Sequence, residues 1–191
     1  YVTDKIDEKK IAKEEVLEIL KKADFNISDI IIERRKDPIW EIDSINLFSK
    51  HTVNNKSYIL PMEQESEGTK RFYGFAGLLA LLIKSSTIFP IDELESSLHP
   101  DLYTHFLLSF LQNAKQSQLI ATTHNRELLG DRDIFRDDVI WFTDKGKDCA
   151  TELYSLADFD TATIKNILNA YKIGKFSGVP RLSDTFIDVE L

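Results

Sequence analysis

Residues 86–100, with the sequence STIFPIDELESSLHP, are the stretch that decides the predicted fold. The apolar run IFPI at positions 88–91 is typical of a buried strand in a parallel sheet. Two adjacent acids, Asp92 and Glu93, come directly after this run. Because open α/β sheets bind their ligands at the C-terminal ends of their strands, the two carboxylates occupy a candidate ligand-binding position.

The two acids at the strand end suit two different tasks. A carboxylate such as that of Asp92 can hold Mg²⁺, usually through water, and the adjacent Glu93 can orient or deprotonate an attacking water. This is the chemistry of a Walker B motif in a nucleotide hydrolase. An acidic pair by itself also fits a strand that ends in a solvated turn, so the flanking segments have to decide between the two interpretations.

The composition limits the class of protein. With 42% hydrophobic and 29% charged residues, the 191-residue chain has a soluble globular mix, enough for one domain with a small appendage. A net charge of −8 argues against broad, non-specific nucleic-acid binding, although it leaves room for a local basic patch. The single cysteine, Cys149, excludes an intrachain disulfide. A chain without an intrachain disulfide fits the reducing cytoplasm, where we expect this protein. No apolar run approaches the ~20 residues that span a bilayer, so we expect no membrane segment.

Hydrophobic periodicity predicts helices and strands along the rest of the chain. The segment FYGFAGLLALLIK, which ends at Lys84, has helical spacing and predicts a buried helix with Ile83 on its core face. A later helix is predicted to have Leu111 on its core face. The other predictions are helices at 4–24, 98–114 and 160–170, strands at 30–32, 40–45, 57–62 and 118–123, turns at 36–38 and 54–55, and a hairpin formed by 138–142 and 151–154. Together they indicate an α/β fold with a mainly parallel sheet core, flanking helices and a C-terminal β-hairpin.

Two further positions are candidate ligand contacts. Ser66 and Gly68 lie on the turn into the buried helix, where a hydroxyl, a glycine and free backbone N–H groups form a ready anion site. The same residues also fit a plain serine N-cap, which stabilises a helix by ~1 kcal/mol. His124 ends the predicted strand at 118–123 and could contact a phosphate or polarise a water, or simply cap backbone groups.

The order of these segments resembles the second half of an ABC-type ATPase head of the SMC and RecF-like kind. It is nearer still to a group of bacterial AAA-domain ATP-binding proteins linked to abortive infection and phage defence. SEGTK at 66–70 is similar to their signature motif, IFPIDELE to their Walker B motif, and TTHNREL to their switch-histidine segment. SSLH at 96–99 aligns with the D-loop, and IWF, LYSL and GKFSGVP resemble the end of the bacterial proteins. The resemblance covers roughly 57–182 and implies a partial P-loop NTPase fold.

The resemblance implies that three residues act on nucleotide bound to their own subunit. Asp92 would bind Mg²⁺ through water, and Glu93 would be the general base or would position the attacking water. His124 would contact the γ-phosphate of ATP.

The resemblance also implies a second set of residues that reach nucleotide bound to a partner subunit. Ser66 and Gly68 would contact its γ-phosphate in trans, because their donors suit charge stabilisation in phosphoryl transfer. Thr69 and Lys70 complete this signature segment and count among the nucleotide-binding candidates. Ser97 would lie at the interface between the two heads.

The sequence departs from the family pattern in two places. Glu67 stands where transporter-type signatures have glycine. The bacterial group that the sequence resembles also has an acid at this position. None of the seven glycines opens a G-x-x-x-x-G-K-[ST] loop, whose backbone would cradle the phosphates. Because that loop lies N-terminal in the family, and the chain has no initiator methionine, we expect the C-terminal part of a longer ATPase. Residues 1–28 would be the end of an inserted helical arm, and 29–191 the C-terminal portion of the ATPase domain, inactive alone.

The predicted function is ATP binding and hydrolysis at a head-to-head dimer interface, which drives a conformational change. The resemblance suggests an effector protein or nucleic acid as the downstream partner, in phage defence or nucleic-acid maintenance. One alternative is a non-catalytic regulatory or scaffolding module that keeps the motifs for binding and dimerisation. Another is a metal-dependent hydrolase. Its ligands would be Asp92, Glu93, Glu95, His99 and His124. Some ATPases of the kind that this sequence resembles carry a nuclease domain after the head. Because the segment after Leu156 is neither long nor acidic enough for one, we do not expect nuclease activity from this chain.

Overall fold

The computed structural model describes residues 2–7, 11–36 and 43–179, which fall into two compact units divided between His124 and Asn125. The first unit contains α1 (Val2–Asp7), α2 (Lys13–Lys22), β1 (Asp29–Lys36), β2 (Asp43–Val53), β3 (Lys56–Pro61), a 3-10 turn (Met62–Gln64), α3 (Glu67–Lys84), β4 (Ile88–Ile91), α4 (Pro100–Asn113) and β5 (Gln118–Ala121). The second contains β6 (Trp141–Lys145), β7 (Thr151–Ser155), α5 (Ile167–Lys172) and 3-10 turns at Arg126–Gly130, Asp137–Val139 and Leu156–Asp158. The predicted α/β class is confirmed. Among the described helices, none is long and apolar enough to cross a membrane.

An antiparallel sheet in the order β1–β2–β3 is the largest sheet of the described residues. Strands β2 and β3 are joined at Asn54 and Asn55, whose φ angles of 50° and 61° suit the tight hairpin turn predicted there. Polar side chains tolerate this left-handed backbone better than most, which explains the two asparagines. The predicted turn at 36–38 lies almost wholly outside the described residues, as does the beginning of the strand predicted at 40–45.

The predicted parallel pairing is between β4 and β5, with Phe89 opposite Leu119, and α4 connects the two strands. This is the crossover connection that parallel strands need. The expected complete burial of these strands is wrong, since Ile88 is 61% exposed and Ile120 is 60% exposed. Within the described residues each strand has one strand neighbour, so the parallel component is a two-stranded sheet with one open face.

Helix α3 lies in the centre of the first unit's core. Its predicted apolar stripe is buried, with the ring of Phe75 4.8 Å from that of Phe106 on α4 and the ring of Phe72 5.0 Å from that of Phe25. Two predicted core positions are wrong, because Ile83 is 39% exposed and Leu111 is 46% exposed near the C-terminal ends of their helices. There the neighbouring elements no longer cover the helix surface.

The N-terminal helix predicted at 4–24 is two separate helices, α1 and α2. The apolar stripe predicted for this segment is present, since Ile11, Val16 and Leu20 are all buried. Helix α2 packs on α3, so this stripe belongs to the core. Helix α1 also approaches α3 closely: a Cβ atom at Gly77 would lie 2.2 Å from the Val2 side chain, so only glycine fits there.

The second unit is built around a hairpin of β6 and β7, as predicted, in which Phe142 lies opposite Tyr154. The first strand predicted at 138–142 is wrong in its bounds, because a 3-10 turn occupies Asp137–Val139 and β6 runs from Trp141 to Lys145. Its core consists of apolar side chains from the hairpin, α5 and the segment that follows. These are Phe142, Leu156, Ile167, Ala170 and Phe176. The helix predicted at 160–170 is wrong in its start, because the Asn166 side chain accepts a hydrogen bond from Asn169 N at 2.8 Å and caps the shorter helix α5.

Candidate functional site

The acids Asp92 and Glu93 lie at the C-terminal tip of β4, with exposed side chains. Thr122, at the tip of β5, joins them: its hydroxyl accepts a hydrogen bond from Glu93 N at 3.0 Å and donates to Asp92 Oδ1. The backbone continues the same attachment, with Thr122 N donating to Ile91 O and Leu94 N donating to Thr122 O, each at 3.1 Å. The tips of the two parallel strands therefore hold the acids in one defined position.

The turn after β4 has an unusual backbone. Glu93 has a φ of 47° and Ser97 a φ of 59°, both in the left-handed region that residues other than glycine rarely adopt. Such conformations persist only where surrounding contacts hold them, and they concentrate at functional sites. One of these contacts comes from α3, where Arg71 Nη2 donates a hydrogen bond to Glu93 O at 2.8 Å.

The carboxylate of Asp92 fits the predicted Mg²⁺ contact. Protein Mg²⁺ sites commonly use one or two carboxylates and fill the remaining positions with water and substrate phosphates. Asp92 is exposed, and one of its oxygens is oriented by the Thr122 hydroxyl. Among the described residues there is no group of three His, Cys, Asp or Glu side chains that could hold a metal ion, so the five-ligand site of the alternative hydrolase is not assembled.

Ser66 and the other residues of the signature segment (residues 66–70) form the N-terminal end of α3. The Ser66 hydroxyl accepts a hydrogen bond from Thr69 N at 3.0 Å and pairs with the Thr69 hydroxyl at 2.8 Å, so the predicted N-cap is confirmed. Lys70 Nζ donates to Glu67 Oε1 at 2.5 Å, which partly balances the negative charge at this position. Helix N-termini offer N–H groups without intrahelical acceptors, so the segment is compatible with a phosphate ligand.

The signature segment lies directly against the D-loop segment (residues 96–99). A Cβ atom added to Gly68 would lie 3.3 Å from Ser97 O, which is tighter than ordinary van der Waals contact. Glycine at this position therefore lets the start of α3 approach the turn that follows β4. The structure thus brings together two segments whose first residues, Ser66 and Ser96, are 30 positions apart in the sequence.

His124 follows β5, and its backbone is held by Glu95. Glu95 Oε1 accepts a hydrogen bond from His124 N at 2.6 Å, and the His124 side chain is exposed. Burial raises the pKa of Glu95, but hydrogen bonds from the Thr123 side chain and His124 N outweigh this effect and leave the pKa below its ordinary value. Glu95 is therefore an ionised anchor for the histidine segment. His99, which the metal-site alternative groups with it, instead accepts from Asp101 N at 3.3 Å.

Glu65, directly before the signature segment, is a site residue that the sequence analysis missed. Its Oε1 atom accepts hydrogen bonds from the hydroxyl of Ser49 and from His51 Nε2, the latter at 2.6 Å, and both donors lie on β2. Burial raises the pKa of Glu65, whereas the bonds from Ser49 and His51 and the attraction to His51 lower it below its ordinary value overall. The contacts fasten the turn before α3 to the antiparallel sheet.

The tips of β4 and β5 with their acids, the start of α3 and the turn after β4 therefore lie together in the first unit. The structure is similar to one solved in work on "ATP-driven dimerization and DNA stimulated activation of SMC ATPases", with a TM-score of 0.58 and 14% identity over 92% of this chain and 96% of that one. It is also similar to an Smc head bound to the C-winged helix domain of ScpA, with a TM-score of 0.51 and 19% identity over 76% of this chain and 42% of that one.

A third similar structure is an Smc head domain with an extended coiled coil, bound to the C-terminal domain of ScpA from Pyrococcus furiosus. Its TM-score is 0.51, with 18% identity over 87% of this chain and 37% of that one. At these identities the likeness shows a shared fold, the P-loop NTPase fold of SMC heads. The present chain spans less than half the length of each of the two ScpA-bound Smc structures.

The family described as "AAA domain, putative AbiEii toxin, Type IV TA system" matches residues 3–130, more than half of the chain. The chain belongs to this family. Both parts of the expected resemblance, to SMC-type ATPase heads and to AAA domains linked to abortive infection, are confirmed. No curated protein matches the sequence.

Proposed function

We propose that the chain is the part of an ABC-type ATPase head that carries the hydrolysis residues and the signature segment. The observation that supports this most directly is the meeting of three motif segments on one side of the first unit. Gly68 of the signature segment lies against Ser97 of the D-loop segment, and Arg71 of the same helix contacts Glu93 at the strand tip.

Three residues would act on nucleotide bound to the same subunit. Asp92 would hold Mg²⁺ through water, and the ion would supply positive charge that offsets charge on the phosphates. Glu93 orients or deprotonates the attacking water, and its exposed carboxylate is free to approach it. His124 contacts the γ-phosphate from the tip of β5, with Glu95 fixing the backbone from which its side chain projects.

The signature segment would act on nucleotide bound to a second copy of the chain. Ser66 and Gly68 present the hydroxyl and backbone N–H groups at the start of α3, and the buried helix behind them is a rigid support. The Ser66 hydroxyl accepts from Thr69 N, and when the Thr69 hydroxyl also donates to it, the Ser66 proton is available to a phosphate oxygen. Thr69 and Lys70 extend this surface, and Ser97 lies at the interface between the two copies.

The P-loop would come from another segment of a longer chain, because this sequence contains none. The open face of the β4–β5 pair is largely apolar, with Ile88, Pro90 and Ile120 beside one polar residue, Gln118, and suits packing against that segment. We assign residues 1–28 to the end of an inserted arm and 29–191 to the C-terminal portion of the head. Without the P-loop segment, the chain would bind ATP poorly and would not hydrolyse it.

The output would be conformational, with ATP closing two heads and hydrolysis opening them. Dimerisation driven by ATP is what the first SMC comparison describes for its own proteins, and ScpA is the partner in the other two. For this chain we propose a second copy and an effector protein or nucleic acid as partners. The family description, which names a putative AbiEii toxin, supports a role in phage defence, and we propose that this role is carried out in the cytoplasm.

Complementation between two inactive variants tests this function. The experiment uses the full-length chain, by which we mean the longer protein that includes the P-loop segment. Glu93→Gln removes the base, and Ser66→Arg blocks the signature segment. If each site combines Glu93 of one copy with Ser66 of the other, a mixed dimer keeps one intact site, and an equal mixture recovers about one quarter of wild-type turnover. No recovery, with both variants dimeric, would show that the two residues serve the same copy. ATP binding without turnover by the wild type would favour a non-catalytic scaffold instead.

A further inference from the structure

Arg71 connects the signature helix to the tip of β4. It lies on α3, five residues after Ser66. Its Nη2 donates to Glu93 O at 2.8 Å, and its guanidinium carbon lies 5.2 Å from the centroid of the Phe75 ring. Its Nε is buried and has no hydrogen-bond partner among the described residues. The Arg71 side chain therefore packs along α3. Among the described residues, its hydrogen bond goes to the carbonyl oxygen of Glu93.

The backbone of Glu93 depends on such contacts. Its φ of 47° is unfavourable for a glutamate, so neighbouring groups must hold the conformation. The Thr122 hydroxyl holds the Glu93 N–H from β5 at 3.0 Å, and Arg71 holds the Glu93 carbonyl from α3 at 2.8 Å. The two hydrogen bonds hold the backbone N–H and the backbone carbonyl of Glu93. Together they fix the direction in which its side chain leaves the backbone.

We propose that Arg71 is a positioning residue that fixes Glu93 for catalysis and links it to the signature helix of the same subunit. The inference rests on the proposed ATPase function and deepens it. Arg71 would not touch nucleotide. It would place the carboxylate of Glu93 at the water that attacks ATP on its own subunit, while the start of the same helix engages ATP on the partner.

Steady-state ATP turnover by the full-length chain tests the proposal. Arg71→Met keeps the length of the aliphatic stem but cannot donate, and a misplacement of ~1 Å at a reacting group can cost about 10²-fold in rate. We expect kcat to fall by about that factor, with the KM for ATP and the thermal midpoint little changed. Arg71→Lys retains a donor and should recover part of kcat.

The matched control is Lys84→Met, which removes a cation from the far end of the same helix, where Lys84 pairs with Glu15 at 2.7 Å. It should leave kcat unchanged. Equal kcat values for Arg71→Met and Lys84→Met would overturn the proposal while leaving the ATPase function intact. If Arg71→Met does not fold, a stable Arg71→Lys variant with wild-type kcat and KM would count against the need for the guanidinium geometry. Absence of turnover in the wild type would overturn both ideas.

Mixed dimers locate the effect. When a Glu93→Gln copy pairs with a Ser66→Arg copy, the live site uses Glu93 of the second and the signature segment of the first. Arg71→Met should therefore lower turnover when placed in the Ser66→Arg copy and have little effect in the Glu93→Gln copy. Loss from the Glu93→Gln copy alone would show that Arg71 acts on the partner's nucleotide, and equal loss from either copy would show an effect that is not specific to Glu93 of the same subunit. Either result would refute the positioning role.

Discussion

The attachment of Glu65 to β2 leads to a prediction about stability. Glu65→Ala removes two hydrogen bonds to one carboxylate, from Ser49 and from His51, and leaves the fully buried Ser49 hydroxyl without its main acceptor. Hydrogen bonds to charged groups contribute about 1.5–3 kcal/mol each. Because Ser49 Oγ can still donate to Leu60 O, now at 3.4 Å, we expect the lower end, about 3 kcal/mol in total.

Thermal and urea unfolding of the full-length chain measure this cost. For a domain of this size about 3 kcal/mol corresponds to a midpoint lower by roughly 6–12 °C. Glu65→Gln keeps an acceptor oxygen without the charge and should lose about half as much. The control is Glu63→Ala, since Glu63 lies exposed in the 3-10 turn directly before Glu65 and should change stability by less than about 0.5 kcal/mol. Equal losses for Glu65→Ala and Glu63→Ala would refute the reasoning.

The same contacts predict a pH dependence. The folded-state pKa of Glu65 lies below its ordinary value, so the ionised form is favoured by folding. Its contribution is therefore fully present above the unfolded pKa of about 4.3 and is lost as the pH falls through the lower folded value. The stability difference between wild type and Glu65→Ala should shrink at acidic pH. A difference that stays constant down to pH values well below 4 would contradict this assignment.

Two further predictions concern catalysis by the full-length chain. Thr122→Val is close in shape but removes both the bond to Glu93 N and the bond to the Asp92 carboxylate, worth about 1 and about 1.5 kcal/mol. A loss of about 2.5 kcal/mol of positioning should lower kcat by roughly 70-fold, comparable to the effect of Arg71→Met. Unchanged kcat would show that the strand tips hold the acids without it. Gly68→Val introduces a branched side chain 3.3 Å from Ser97 O and should weaken ATP-dependent dimerisation in sedimentation experiments, with Gly68→Ala intermediate. Identical dimerisation of all three proteins would remove the close approach from the account.

The elements that the sequence predicted well are those with strong local patterns. The apolar run before Asp92, the helical stripe through Phe72 and Phe75, and the existence of the C-terminal hairpin, though not the bounds of its first strand, are each visible within a short window. The N-cap role of Ser66 also follows from local sequence, since its acceptor and donor are three residues apart. Where one segment is sufficient to determine the structure, the prediction holds.

The contacts that the sequence analysis missed join segments far apart in the chain. Thr122 lies 30 residues from Asp92, and Arg71 lies 22 residues from Glu93, so neither pairing has a local pattern. Burial failed for a related reason. An apolar run such as that at 88–91 has the same composition whether one face or both faces of its sheet are covered by other elements. The three-dimensional structure is needed to show that Ile88 is exposed on a two-stranded sheet. Helix α5 is shorter than the helix predicted at 160–170. Asn166 lies inside the predicted range but caps the start of α5, so the local cap overrides the helical pattern before it.

The central claim is that Glu93 drives ATP hydrolysis between two copies of the head. The most direct measurement compares wild-type and Glu93→Gln forms of the full-length chain for ATP turnover and for mass in solution with ATP and Mg²⁺. We predict turnover by the wild type, loss of turnover in Glu93→Gln, and an ATP-bound dimer that accumulates only in the variant. Wild-type turnover in Glu93→Gln, or a variant that neither binds ATP nor dimerises, would contradict the account.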